Sequence, residues 1–159
     1  MSAYIEAFVL IGIAAGGSAV VLGAALPFAS NPSGSSSVAV QNESIRQGTY
    51  LAIEMMTVMN LGQTSISSFV VSTSQAPNSA PYCYAVYDVA TGEESTGACP
   101  TKAANPSSVT IVSPVQPGGA EGVVITIVGS VFEIGSTCAI TVTTSDGAQQ
   151  SVGALVVPA

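Results

Sequence analysis

The sequence of 159 residues contains no histidine and no tryptophan, and only two basic residues, Arg46 and Lys102. Without histidine, the Ser–His and Cys–His nucleophiles of many enzymes and the most common zinc ligand are missing. Nine acidic residues give a formal net charge of −7. Binding to nucleic acid requires clustered lysine or arginine that neutralises phosphate, so we expect no nucleic-acid partner.

Charged residues of either sign are rare, at 7% of the chain, against about 25% in an average soluble protein. The adjacent pair Glu93-Glu94 lies in a turn-rich stretch and is typical of a solvated loop. The sequence has neither a phosphate-binding glycine loop followed by lysine nor a calcium loop with alternating acids. We therefore expect no enzymatic activity, no catalytic residue, no cofactor and no metal site.

Three cysteines are present, and none belongs to a C-x-x-C motif. Cys83 precedes a surface excursion expected over residues 90–106, Cys99 lies within it, and we favour this pair for a disulfide. A disulfide between them would close a loop of about 15 residues and stabilise the fold by about 3 kcal/mol. Cys138 alternates with Ile140 and Val142, so we expect it in the core as a small apolar side chain.

The longest uncharged run covers residues 7–42, and Ala7–Phe28 within it is almost entirely apolar. Its apolar residues do not alternate with polar ones, which favours a helix buried on all sides over a strand. We expect this helix over residues 1–29, long enough to cross a bilayer. Glu6 lies in its first turn, where it either stays at the water interface or contacts the N-terminal amine of a neighbouring copy.

Small residues within this run allow close packing between helices. Gly12 and Gly16 form a G-x-x-x-G spacing, and Gly17 follows directly. Such spacing lets helix backbones approach each other closely. The alternative is that glycine is simply common in membrane spans. The triplet that begins at Asn42, Asn-Glu-Ser, is an N-glycosylation sequon and a candidate modification site in an exported protein.

The rest of the chain has the pattern of a β-domain. Residues 30–43 are a Ser/Gly-rich linker, and residues 44–159 form the expected head domain. The segment 49–60 is ambiguous between helix and strand. Six further strands are expected, over 66–73, 82–89, 108–112, 122–128, 138–143 and 151–157. Short strands separated by marked turns predict an antiparallel sandwich.

Two sequences resemble a known family. Residues 2–13, SAYIEAFVLIGI, resemble the mature N-terminus of archaeal type IV pilins and archaellins. Residues 59–71 and 140–147 are similar to strands and turns of the C-terminal domains of that family. The resemblance implies an α+β fold in which a long apolar N-terminal helix precedes an immunoglobulin-like antiparallel β-sandwich. Precursors in this family carry a short basic leader, whereas no lysine or arginine precedes the apolar run here, so either this is the processed chain or the leader is missing.

The resemblance implies a structural subunit of an extracellular filament on the cell surface. Its partners would be identical copies, joined through helix 1–29 into a homopolymer after transient insertion of a precursor into the membrane. Glu6 corresponds loosely to the acidic residue near the mature start of the family. Surface adhesion is preferred over motility. The alternative is an immunoglobulin-like binding module anchored by a single membrane span.

Overall fold

The computed structural model describes residues 37–100 and 104–159, and this part of the chain is built from nine β-strands. In chain order the strands are β1 Val38–Gln47, β2 Leu51–Asn60, β3 Phe69–Thr73, β4 Tyr82–Asp88, β5 Glu94–Ala98, β6 Ser108–Ile111, β7 Ala120–Val128, β8 Thr137–Thr144 and β9 Gln149–Pro158. Within residues 37–100 and 104–159, no helix has the length and apolarity that a membrane span requires.

The nine strands form one continuous sheet in the order β5-β4-β7-β2-β1-β9-β8-β3-β6. Strand β9 joins the two halves, because it pairs antiparallel with β8 and parallel with β1. The parallel contact is short and matches Ile45 with Val156. The sheet curls at β9 into two layers, which we call the first sheet (β5, β4, β7, β2, β1) and the second sheet (β9, β8, β3, β6).

The core lies between the two layers and follows the two-residue period of the strands. In β2 the inward side chains include Ala52, Met56 and Val58, and the second sheet contributes Val71 and Ile140 among others. All five are almost fully buried. Since alternate residues of a strand point to opposite faces, this period fixes which side of each sheet lies inward.

Strand β1 contains an irregularity at the glycosylation candidate. Its pairing with β2 shifts register between Gln41 and Ser44. Asn42 lies in this bulge with a φ of 54°, a left-handed conformation in which asparagine is over-represented. Its side chain is exposed. Strand β1 also begins at Val38, inside the segment that the sequence analysis assigned to the linker.

Strand β5 occupies part of the stretch that was expected as a surface excursion. It pairs with β4 at the edge of the first sheet, and four of its five residues are exposed. Its sequence, ESTGA, has no apolar alternation, which explains why a pattern-based prediction missed it. A disulfide joins Cys83 in β4 to Cys99, which follows β5. This is the pair that the sequence analysis favoured.

The predicted α+β class, with a long helix before an immunoglobulin-like sandwich, is wrong for the described chain. The described residues are all-β, and the helix proposed for 1–29 lies outside them. The ambiguous segment 49–60 is strand β2 and lies at the centre of the first sheet. The nine-stranded order with a parallel β1–β9 contact also differs from the two separate antiparallel sheets of an immunoglobulin domain.

The Cys83–Cys99 disulfide should contribute about 3 kcal/mol to the free energy of unfolding, because it closes a loop with a sequence separation of 16. We expect the Cys83→Ser/Cys99→Ser variant to unfold at a lower urea concentration than the oxidised wild type. Reductant should destabilise the wild type and leave the double variant unchanged. An equal effect of reductant on both proteins would contradict a stabilising role for this bond.

Candidate functional site

An acidic side chain, Glu54, lies in the interior between the two layers. Strand β2 places it inward, opposite Ile45 of β1 and Ile125 of β7. It is 0% exposed. A carboxyl group in such surroundings is costly unless it takes up a proton or finds hydrogen-bond partners. Glu54 is therefore the most unusual polar group among the described residues.

The second sheet supplies the partner of Glu54. The Thr73 hydroxyl, at the end of β3, donates a hydrogen bond to Glu54 Oε2 over 3.0 Å. Glu54 Oε1 is buried without a hydrogen-bond partner within residues 37–100 and 104–159. Burial raises the pKa of the Cys138 thiol of β8, a hydrogen bond with Ser136 partly lowers it, and the charge of Glu54 adds a smaller increase.

Burial raises the pKa of Glu54 from 4.5 to about 8, and the hydrogen bond from Thr73 only partly opposes this rise. At neutral pH the group is therefore a neutral carboxylic acid that can both accept and donate hydrogen bonds. It lies in a closed core, out of reach of a substrate. Its chemistry is limited to holding a proton and linking the two layers.

A pair of acidic side chains, separate from Glu54, lies at an open cleft of about 440 Å³. Asp88 of β4 and Glu121 of β7 are cross-strand partners. Asp88 Oδ1 accepts the backbone N–H groups of Ala90 and Thr91, so this carboxylate organises its own turn. Burial and then the charge of Asp88 raise the pKa of Glu121, against a hydrogen bond from Ser95. Both carboxylates thus have structural partners.

A further cleft of about 470 Å³ lies at the opposite end of the sandwich. The Gln47 amide organises this end: its nitrogen donates to the Gly48 and Gly129 carbonyls, and its oxygen accepts the N–H groups of Val131 and Phe132. The amide nitrogen and oxygen of Gln47 are therefore both used in hydrogen bonds to the backbone at this end of the sandwich. Across the residues that the structure describes, no group of three or more histidine, cysteine or acidic side chains could hold a metal ion.

The site residues named from the sequence do not form one site. Glu6, Gly12, Gly16 and Gly17 lie outside the described residues. Cys83 and Cys99 form a structural disulfide, and Asn42 is isolated on the bulge of β1. The sequence analysis did not single out Glu54. The available signal was one charged residue inside the largely apolar strand LAIEMMTVMN.

The pKa of Glu54 makes stability depend on pH. Below about pH 4.5 the carboxyl is protonated in both the folded and the unfolded state. Between about pH 4.5 and 8 only the unfolded state releases the proton, so stability falls as pH rises and then levels off. A difference of about 3.5 pKa units, from 4.5 to about 8, corresponds to about 4–5 kcal/mol at most.

Glu54→Gln removes the titrating group while keeping the shape of the side chain. We expect this variant to match the wild type near pH 4 and to exceed its free energy of unfolding above pH 8. Urea unfolding across this pH range measures the difference. Glu133→Gln, which changes an exposed carboxyl, is the matched control and should retain the wild-type profile. If the wild-type free energy of unfolding rises from pH 5 to 8 relative to that of Glu54→Gln, the raised pKa of Glu54 is contradicted.

Comparison with known proteins gives no family for this chain. No protein-family model matches it, and no curated protein matches it either. Comparison with solved structures gives matches of low similarity. An apo PmoF2 PCuAC domain is 12% identical, with a TM-score of 0.39, over 76% of this chain and 90% of that domain.

Two further structures extend this comparison. The archaellum periplasmic stator protein FlaG from Sulfolobus acidocaldarius is 16% identical, with a TM-score of 0.37, over 75% of this chain and 99% of that one. A CARDB domain of the PF1109 protein from Pyrococcus furiosus is 12% identical, with a TM-score of 0.25, and the match covers 79% of this chain and 94% of that domain. The TM-scores of these three matches all lie below 0.5, so the likeness does not decide the function of this chain.

Proposed function

We propose that this protein is a structural subunit of an extracellular, type IV pilus-like filament and has no enzymatic activity. The observation that carries the proposal is the uncharged run 7–42, which continues directly into strand β1 of a closed β-domain. Burial among identical copies removes such an apolar segment from water. The filament is then a homopolymer, and each precursor is held in the membrane by the same segment before assembly.

The two ends of the β-domain have different surroundings, which supports this role. The apolar segment joins the domain at Val38, next to Asn60. The opposite end exposes large apolar side chains, with Tyr50 79% and Ile134 53% exposed. Exposed apolar side chains are common at sites that bind other molecules. We propose surface adhesion as the task of the filament, with this opposite end turned outward.

A membrane-anchored β-domain that acts as a binding module is the second candidate. The apolar run Ala7–Phe28 is long enough to cross a bilayer once. The exposed side chains at the opposite end would serve such a module equally well. The two candidates differ in whether copies assemble, and this is what an experiment must measure.

Electron microscopy of material sheared from cells, with N-terminal sequencing of the subunit, tests the filament. We expect fibres built from this chain. Gly16→Ile should reduce fibre yield at least about tenfold, because a branched side chain prevents close approach of packed segments. Gly16→Ala, which adds only one methyl group, is the matched control and should retain most fibres.

One outcome would contradict the filament, and another would contradict only the close packing at the small residues. A monodisperse particle that only detergent extracts from membranes would favour the anchored module. Normal fibres from the Gly16→Ile variant would exclude close packing at the small residues while leaving filament formation intact.

A further inference from the structure

The outward faces of the two layers differ in polarity. On the second sheet, the outward residues of β8 from Thr137 to Thr143 are threonine and alanine, and all are at least partly exposed. On the first sheet, the outward residues of β2 from Leu51 to Met59 are apolar except Thr57. Thr57 and Met59 are only 5% and 1% exposed. A strand with apolar residues on both faces is typical of a sheet that is covered on both sides.

Strands β4 and β7 continue this outward apolar surface. Tyr87 and Val124, which are 6% and 5% exposed, pack with the half-buried Ile53, Met55 and Ala85. All five residues belong to the first sheet, so the cluster contains no residue from another layer of the described part of the chain. We call this surface the outer apolar face.

The chain joins the first sheet at one corner of this face. Ala39 of β1 lies outward and packs with Met59 and Leu61. The Leu61 N–H donates to the Ser37 carbonyl over 2.9 Å, which fixes where the preceding residues leave the sheet. Residues 29–37 can extend over roughly 30 Å. The outer apolar face is about 27 Å long along β2, from Leu51 to Met59, at about 3.4 Å per residue. The segment before residue 29 can therefore reach the whole face.

Arg46 adds a second observation at the same face. Its Cα partner is Ile53, so its side chain leaves β1 on the outward side. Arg46 Nε is buried and has no hydrogen-bond acceptor within residues 37–100 and 104–159. A buried donor without an acceptor is costly. An acceptor outside the described residues is therefore expected beside Ile53.

We propose that the outer apolar face is the docking surface for this chain's own apolar segment, Ala7–Phe28. Both surfaces are largely apolar, with Arg46 as a charged side chain on the β1 side of the face, and docking removes their apolar parts from water. A segment tethered at the corner of the face has an effective concentration in the millimolar range, which favours its own domain over a neighbouring copy. The interaction goes beyond filament assembly, because it exists in a single dispersed subunit.

Photocrosslinking of the full chain in detergent micelles tests this docking. The photoreactive amino acid p-benzoylphenylalanine replaces Met55 on the outer apolar face, and in a control chain it replaces Thr141 on the outward side of the second sheet. We expect position 55 to crosslink to peptides within residues 7–28 with a yield at least about tenfold above position 141, because of the tether.

Mixing isotope-labelled and unlabelled chains before irradiation identifies the partner. Docking of the chain's own segment gives crosslinked peptide pairs that are both labelled or both unlabelled. Mixed pairs at the statistical frequency would overturn the proposal in favour of a neighbouring copy. Equal yields at positions 55 and 141, or crosslinks only to detergent, would overturn it as well.

A charge on the face gives an independent readout. With the photoreactive group at Ile53, Met55→Lys should reduce the crosslink yield roughly tenfold, because burying an unpaired charge in an apolar contact is costly. Thr141→Lys should leave the yield unchanged. An unchanged yield in a folded Met55→Lys variant would contradict docking at this face. The outcome is separate from the filament assay, since a chain that forms no fibres can still give the expected crosslink.

Discussion

The double pairing of β9 is the constraint on which the rest of the described structure depends. Its first part completes the second sheet beside β8, and its last part completes the first sheet beside β1. Because both layers belong to one sheet, they cannot separate without breaking backbone hydrogen bonds. The inward residues of both layers, including Ile45 and Val156, are thereby held in a fixed arrangement.

This fixed interior explains how a carboxylic acid can lie within it. Glu54 faces Thr73 across the layers, and the distance between them is set by the sheet rather than by their hydrogen bond. A neutral acid loses far less solvation free energy on burial than an ionised one. The fold accordingly tolerates Glu54 best when it is protonated. The stability of the packed layers therefore depends on pH.

Alternation predicted strands β8 and β9, whose two faces differ, whereas β2 and β5 lack such a difference between their faces. Strands β8 and β9 alternate, and the expected ranges 138–143 and 151–157 lie within or close to them. Strand β2 remained ambiguous because its apolar residues fill both faces, and β5 was missed because neither face is apolar. The Glu54 site depends on Thr73, 19 residues away, and no local pattern indicates that contact.

The same feature that made β2 ambiguous connects the fold to the proposed function. A strand that is apolar on both faces needs a cover on both sides, and the second sheet supplies only one of them. The apolar run Ala7–Phe28 precedes the sandwich in the chain, and the chain joins the first sheet beside the uncovered side. One sequence thus holds an apolar surface and an apolar segment of comparable length. The free energy gained by covering both is available within one subunit, and assembly must offer the segment a better contact than its own domain does.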